Sequence, residues 1–238
     1  IIPLLDIAGS LAAIIFILRE LKLLGLTVQD IKLISAFKKL KTSAVYFISN
    51  MATTAFGALN TILIGILLQG EKIAYWSVSM QLIGAVQALY TPIADGVYPE
   101  MIKSKSARLI KKILLFFMPI VLAGSVFSFL FADPILALAA GKQYVAASTV
   151  FRYLIPVLIF SFPAMLLGWP TLGAINKEQQ VTKTTVWTAV FQIAGLAILA
   201  VTGHFNLISI AVLRCLTELL LLGTRAFNCL KFKAQFNR

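Results

Sequence analysis

Seven stretches of this chain are apolar over enough residues to cross a bilayer as helices, which excludes most folds open to 238 residues. A hydrocarbon core of about 30 Å takes about 20 helical residues at about 1.5 Å each. The runs lie at roughly 2–18, 44–68, 73–98, 110–131, 151–168, 184–202 and 207–229, some reaching that length with their flanks. Soluble domains carry about 25% charged residues; this chain carries 13%, with 60% hydrophobic, so it lacks a soluble domain's polar surface. Disordered chains are poor in apolar residues, so that class is excluded too. The expected fold is an all-α integral membrane protein, a polytopic bundle of about seven transmembrane helices.

Charge places the loops. Lys and Arg number 21 against 9 Asp and Glu, a net +12. In a soluble protein that excess would suggest nucleic acid. Here the cations sit between apolar runs, so they read as cytoplasmic loops with no nucleic-acid partner. Arg19, Lys22, Lys32, Lys38, Lys39 and Lys41 follow the first run, and Lys103, Lys105, Arg108, Lys111 and Lys112 follow the third. Lys177 and Lys183 follow the fifth, and Lys231, Lys233 and Arg238 the last. The turns between, Gln69-Gly70-Glu71-Lys72 and Gly203-His204-Phe205-Asn206, carry no basic excess. A multi-pass protein of the cell membrane with a cytoplasmic C-terminus follows, which puts Ile1 outside. A chain that starts there without a signal peptide is expected to continue an upstream part.

Two connecting segments carry patterns of their own. Val28, Ile31, Ile34 and Phe37 recur at three-residue steps, as in an amphipathic helix on the inner leaflet. Asp133-Pro134 reads as a helix start and Gly141 as its stop, giving a short outer helix over 133–144. Tyr75, Trp76 and Tyr144 fall near outer boundaries, where aromatic rings favour the interface.

Polar residues inside the runs mark what the bundle does, because each costs free energy in hydrocarbon unless it finds a partner or water. Asn50, Thr53, Thr54, Gly57, Asn60 and Thr61 share one side of the second run, and Thr184, Thr185, Thr188, Gln192 and Gly195 one side of the sixth. Either stripe suits close helix packing through small residues and amide hydrogen bonds, or the wall of a hydrated, sugar-tolerant cavity. The last run is the strongest signal, with Arg214, Thr217, Glu218, Arg225 and Asn228 on one face. Arg214 and Glu218 stand four apart and can pair, neutralising each other inside the bundle. The sharper reading is that Arg214 takes an anionic group such as a pyrophosphate through its planar fork. Glu218 would then hold Arg214 in the empty site or bind a coupling cation. Pro92, Gly96 and Pro99 loosen the end of the third run around Asp95, which reads as a kinked helix end with its carboxylate at the interface or, second, as a gate or cation site. Pro119, Pro156 and Pro163 allow further bends.

No enzymatic constellation accompanies these stripes. GxxxxGK[ST], GxSxG and HExxH are all missing, His204 is the sole histidine, and Cys215 and Cys229 would stand about 21 Å apart on one helix. The chain is therefore read as no enzyme, with no cofactor and no metal.

The residues also resemble a family. "FISNMATTAFGALNTILIGILLQGEKIAYWSVSMQL" is similar to the opening of the second lobe of polysaccharide flippases, in the multidrug/oligosaccharidyl-lipid/polysaccharide exporter superfamily. "IADGVYPEM" before a basic loop resembles the end of the family's next helix, and "LGWPTLGAINKEQQVTKTTVWTAVFQIAGLAIL" its Gly-rich helix end, polar loop and following span. The resemblance covers essentially the whole chain through loose patterns. It implies two six-helix lobes around a central cavity, with these runs as spans six to twelve. Residues 1–25 would end an N-terminal lobe that lies upstream, 26–43 would be a cytoplasmic linker, 44–230 the C-terminal lobe and 231–238 a cytoplasmic tail. The implied activity is flipping undecaprenyl-pyrophosphate-linked oligosaccharide across the membrane by alternating access, for surface polysaccharide biosynthesis and export. Its partners would be that lipid-linked oligosaccharide, membrane lipids, a coupling cation and the upstream lobe. Arg214 and Glu218 would serve binding, with Asn50, Asn60 and Gln192 lining the cavity. Arg214 is here taken as the one deep cation of this half.

Three other readings compete. A cation-coupled multidrug exporter of the same superfamily would fill its cavity with acids and aromatics. A membrane polysaccharide polymerase would need a large outer loop, whereas 132–150 offers only Asp133 and Lys142. A scaffold would need no aligned polar stripes.

Overall fold

A computed structural model describes residues 2–23, 44, 47, 48, 51, 54, 58–68 and 70–237. Among these residues there is no strand, and helices carry nearly all of them. The amphipathic segment at 26–43 and Asn50 lie outside the described residues. The chain divides into two units, Ile1–Ala44 and Val45–Arg238. The first contains α1 (Ile2–Leu23), whose side chains such as Ile15 and Phe16 are exposed.

The second unit holds α2 (Ala58–Leu67), α3 (Lys72–Ala88), α4 (Tyr90–Ser104), α5 (Ala107–Leu130), α6 (Ala132–Ala139), α7 (Ser148–Leu154), α8 (Pro156–Leu166), α9 (Glu178–Val201) and α10 (Leu207–Lys231). After α8 a wide turn, Leu167–Leu172, and a tight one, Gly173–Ile175, prolong the same rod. Four segments are long and apolar enough to cross a membrane: Ala107–Leu130, Pro156–Ile175, Glu178–Val201 and Leu207–Lys231.

Proline sets where the rods break. It lacks an N–H and its ring crowds the carbonyl four residues earlier. For Pro92 that carbonyl belongs to Ala88, the last residue of α3, so the run read as one helix over 73–98 is two helices meeting at Leu89. The second continues to Ser104 and stops at Lys105, whose φ of 47° leaves the right-handed region. Pro156 breaks α7 from α8 in the same way, at Ile155. The run read as ending near 168 goes on to Ile175, because Gly168 and Pro170 bend the chain without ending it. Pro99, Pro119 and Pro163 sit inside continuous helices. The short helix expected from Asp133-Pro134 is α6, and Gly141 follows it at φ 104°.

Leu115, Phe116, Ile120 and Phe127 on α5 and Trp187 on α9 are exposed, far more apolar surface than a soluble monomer shows. Around one end, Ile64, Trp76, Ile83, Leu136, Leu154, Val157 and Ile210 form the main core. Trp76 is 1% exposed, so it packs that core and is no interface anchor. At that end Arg152 ties α7 back to α6 and α5, with Nη2 2.8 Å from Asp133 Oδ2 and Nε donating to the Phe129 carbonyl at 3.2 Å. A hydrogen bond from Ser148, followed by that from Arg152, holds the exposed Asp133 carboxyl below its ordinary range.

The opposite end is basic and stapled by the tail. The Asn237 N–H donates to the Lys105 carbonyl at 2.8 Å, and Ala107 returns a bond at 3.2 Å. Phe236 packs beside Met101, Ile110 and Ala174. Lys177 Nζ stands 4.8 Å from the Phe232 ring centre. This staple joins the α4–α5 turn, the end of the α8 rod and the last turn of α10.

Candidate functional site

The site is built on α10. At about 100° per residue its polar positions fall on one face, and Arg214, Thr217, Glu218 and Arg225 are all buried there. Arg214 Nη2 lies 2.6 Å from Glu218 Oε1, the four-apart pair expected from the sequence, with both side chains under 10% exposed. Burial makes this pairing obligatory: an ion left alone in low dielectric costs several kcal/mol, about 3–5 when one partner is removed.

Below it a three-helix ladder fixes the register. Gln192 on α9 donates from Nε2 to Asn60 Oδ1 on α2 at 2.9 Å. The Thr217 hydroxyl reaches Gln192 Oε1 and, at 2.9 Å, the Leu213 carbonyl, and its single proton serves one of them. Asn60 and Gln192 are 2% and 0% exposed, so the structure places them in this packed ladder, between helices, with their amides turned to each other. Of the predicted binding residues, Arg214 and Glu218 come together, Asn60 and Gln192 come together a turn away, and Asn50 lies outside the described residues.

Arg225, about three turns beyond Arg214, does something the sequence reading left out. Its Nη1 donates to the Ala164 carbonyl at 2.7 Å and its Nη2 to Thr185 Oγ1 at 3.1 Å, joining α8, α9 and α10. Thr185 can accept because its own proton goes to the Val181 carbonyl at 3.0 Å. The guanidinium lies against Gly168, where an added Cβ would come 2.8 Å from Nη1. Among the described residues the bundle therefore holds two deep cations rather than one.

Between α10 and the facing helices lies a cavity of about 460 Å³, within the range of about 300–1,000 Å³ usual for ligand sites. Gln87, Tyr90, Thr91 and Asp95 form one wall, Ser161, Ala164 and Trp169 a second, and Thr185, Thr188 and the α10 face the rest. Two cations, Arg214 and Arg225, face it with two acids, Glu218 and Asp95, so its formal charge is balanced. Asp95 is exposed on the wall itself, not merely at a helix end. Gln87 faces the cavity while Gln81 is exposed elsewhere, in keeping with their different angles on α3. A larger groove of about 790 Å³ runs between α9 and α10 on the outer flank, past Trp187, Phe191, Leu219 and Phe227. It carries no buried charge, so the chemistry belongs to the smaller cavity. Among the described residues no group of three His, Cys, Asp or Glu could hold a metal ion, and Cys215 and Cys229 are free thiols.

The α10 face was legible from its spacing. Tyr90, Ala164 and Trp169 were not, because they reach the cavity from other helices and no local pattern records which helices meet. Comparison with protein-family models, curated proteins and solved structures finds no match to the chain. Fold and site together define a class: an all-α protein with helices suited to a bilayer and a charged, polar cavity among them.

Proposed function

We propose that the chain is part of a transporter that flips a polyprenyl-pyrophosphate-linked oligosaccharide across the cell membrane for surface polysaccharide biosynthesis. In this reading the seven apolar runs all span the bilayer, the basic end and tail face the cytoplasm, and a second six-helix lobe faces the cavity. The observation that carries it is the cavity itself: buried guanidinium groups beside hydroxyls and amides, inside a bundle whose outer surface is oil-like. Arg214 would take pyrophosphate oxygens through its planar fork. Glu218 would hold Arg214 in the empty site and release it as the anion binds. Threonine and tyrosine hydroxyls and Gln87 would meet the sugars, and rocking of the lobes would alternate access.

Complementation of a strain lacking its flippase tests this. Wild type should restore surface glycan, whereas Arg214→Lys and Glu218→Gln should each reduce it about tenfold or more at equal protein level. Full restoration by both variants, or none by wild type, would defeat the reading. Two acids lining one cavity, Asp95 and Glu218, support a second reading, a cation-coupled drug exporter of the same superfamily. In that case Asp95→Asn would abolish drug resistance, and surface glycan would never depend on the protein.

A further inference from the structure

The bend that follows α8 is held from outside its own helix. Pro170 cannot donate to the Leu166 carbonyl, and Thr171 Oγ1 takes that carbonyl instead at 2.6 Å. Gly168, at ψ −116°, turns the chain off the helical path. Arg225 lies over this point, bonded to Ala164 on one side of the bend and to Thr185 on α9. It is 8% exposed, and its Nε has no hydrogen-bond partner among the described residues. Arg225, Ala164, Thr185 and Trp169, which follows Gly168, all stand in the cavity wall. One guanidinium is thus both a strut of the bend and a cation facing the site.

We propose that Arg225 is a coupling residue: an anionic oxygen in the cavity draws its guanidinium from Ala164 and Thr185, and the bend after α8 moves in response. This rests on the cavity being an anion site. The Ala164 carbonyl and the Thr185 hydroxyl are neutral acceptors, and a phosphate oxygen is a charged one. The bonds to these neutral acceptors are already assisted by the guanidinium charge; a phosphate oxygen adds full ion–ion attraction, which a low-dielectric site strengthens, so exchange favours the ligand. Gly168 then serves two ends. It leaves room for the guanidinium in the empty state, and it lets the backbone turn when the guanidinium goes. Occupancy would thereby be converted into a change of shape in a segment that spans the bilayer.

The test uses the full chain in lipid nanodiscs, with Cys215→Ser and Cys229→Ser and spin labels on cysteines at Tyr153 and Asn176. Both positions are exposed, and they flank the bend. Inorganic pyrophosphate is the probe; calorimetry reads its binding and electron–electron distances read the bend. The labels should move by about 2 Å or more on binding. Thr185→Val, which releases Nη2, should bind pyrophosphate about threefold more tightly. Arg225→Gln should bind about tenfold more weakly and show no movement. If Arg225→Gln does not fold, Thr185→Val decides alone, because a purely structural strut gives no gain in affinity. Binding with unmoved labels, or with unchanged affinity in Thr185→Val, overturns the coupling and leaves the anion site standing. No binding in wild type overturns both.

Discussion

At the residue scale the Arg214–Glu218 pair sets the terms. Each charge is tolerated in the bundle only because the other stands 2.6 Å away. Arg214→Met alone should cost about 3–5 kcal/mol of stability, since Glu218 is left buried and unpaired. The double variant Arg214→Met/Glu218→Leu should recover most of that loss in denaturation measurements. A double variant as unstable as the single one would mean that the pair holds the fold together in some other way. Asp133 gives a pH signature at the far end of the molecule. Its carboxyl is held below the ordinary 3.8 by Ser148 and then Arg152. A depressed carboxylate stabilises the fold fully above the unfolded value, and this is lost as pH falls through the folded one. Asp133→Asn should therefore be less stable than wild type at neutral pH, with the difference closing below about pH 3.8. A difference independent of pH would refute the ion pair as its source.

At the element scale the helices divide into those readable from spacing and those that needed the fold. The face of α10 was readable because Arg214, Thr217, Glu218 and Arg225 share one angular sector, and all four are buried. The role of Arg225 was not, because its partners Ala164 and Thr185 are 61 and 40 residues away. Asn60 and Gln192 were rightly placed on inward stripes, yet which of the two purposes such stripes serve depends on what stands opposite. Here it is another amide. Gly168 and Pro170 look like a helix stop, yet the rod continues to Ile175 through a wide turn and a tight one, with bonds from Thr171 and Arg225 at the bend. That gives a test in the element itself. Gly168→Ala puts a methyl 2.8 Å from Nη1 and should cost about 1–3 kcal/mol by overpacking, read as a lowered unfolding temperature. Wild-type stability would mean that the guanidinium yields to the methyl at little cost and is not firmly held over the bend. Gly195 is a second tight point, where a Cβ would come 2.5 Å from Leu213, so Gly195→Leu should pry α9 from α10.

At the scale of the whole molecule the polarity is inverted relative to a soluble protein. Large apolar side chains such as Leu115, Ile120 and Val190 face outward, and charges face a cavity within. Composition made the membrane class legible, because 13% charged residues cannot clothe a soluble surface. The cavity was not legible as a volume, since it exists only where α3, α4, α8, α9 and α10 converge. Cysteine accessibility tests both halves of this inversion together. In full-length protein in sealed vesicles, lacking Cys215 and Cys229, cysteines at Gln87, Thr91 and Leu221 should react with a small, charged thiol reagent, and pyrophosphate should slow them. Cysteines at Leu115, Ile120 and Val190 should stay silent although these side chains are more than half exposed, because acyl chains cover them. Reaction at the outer positions, or silence at the cavity positions, would contradict a wet, polar cavity inside a lipid-embedded bundle.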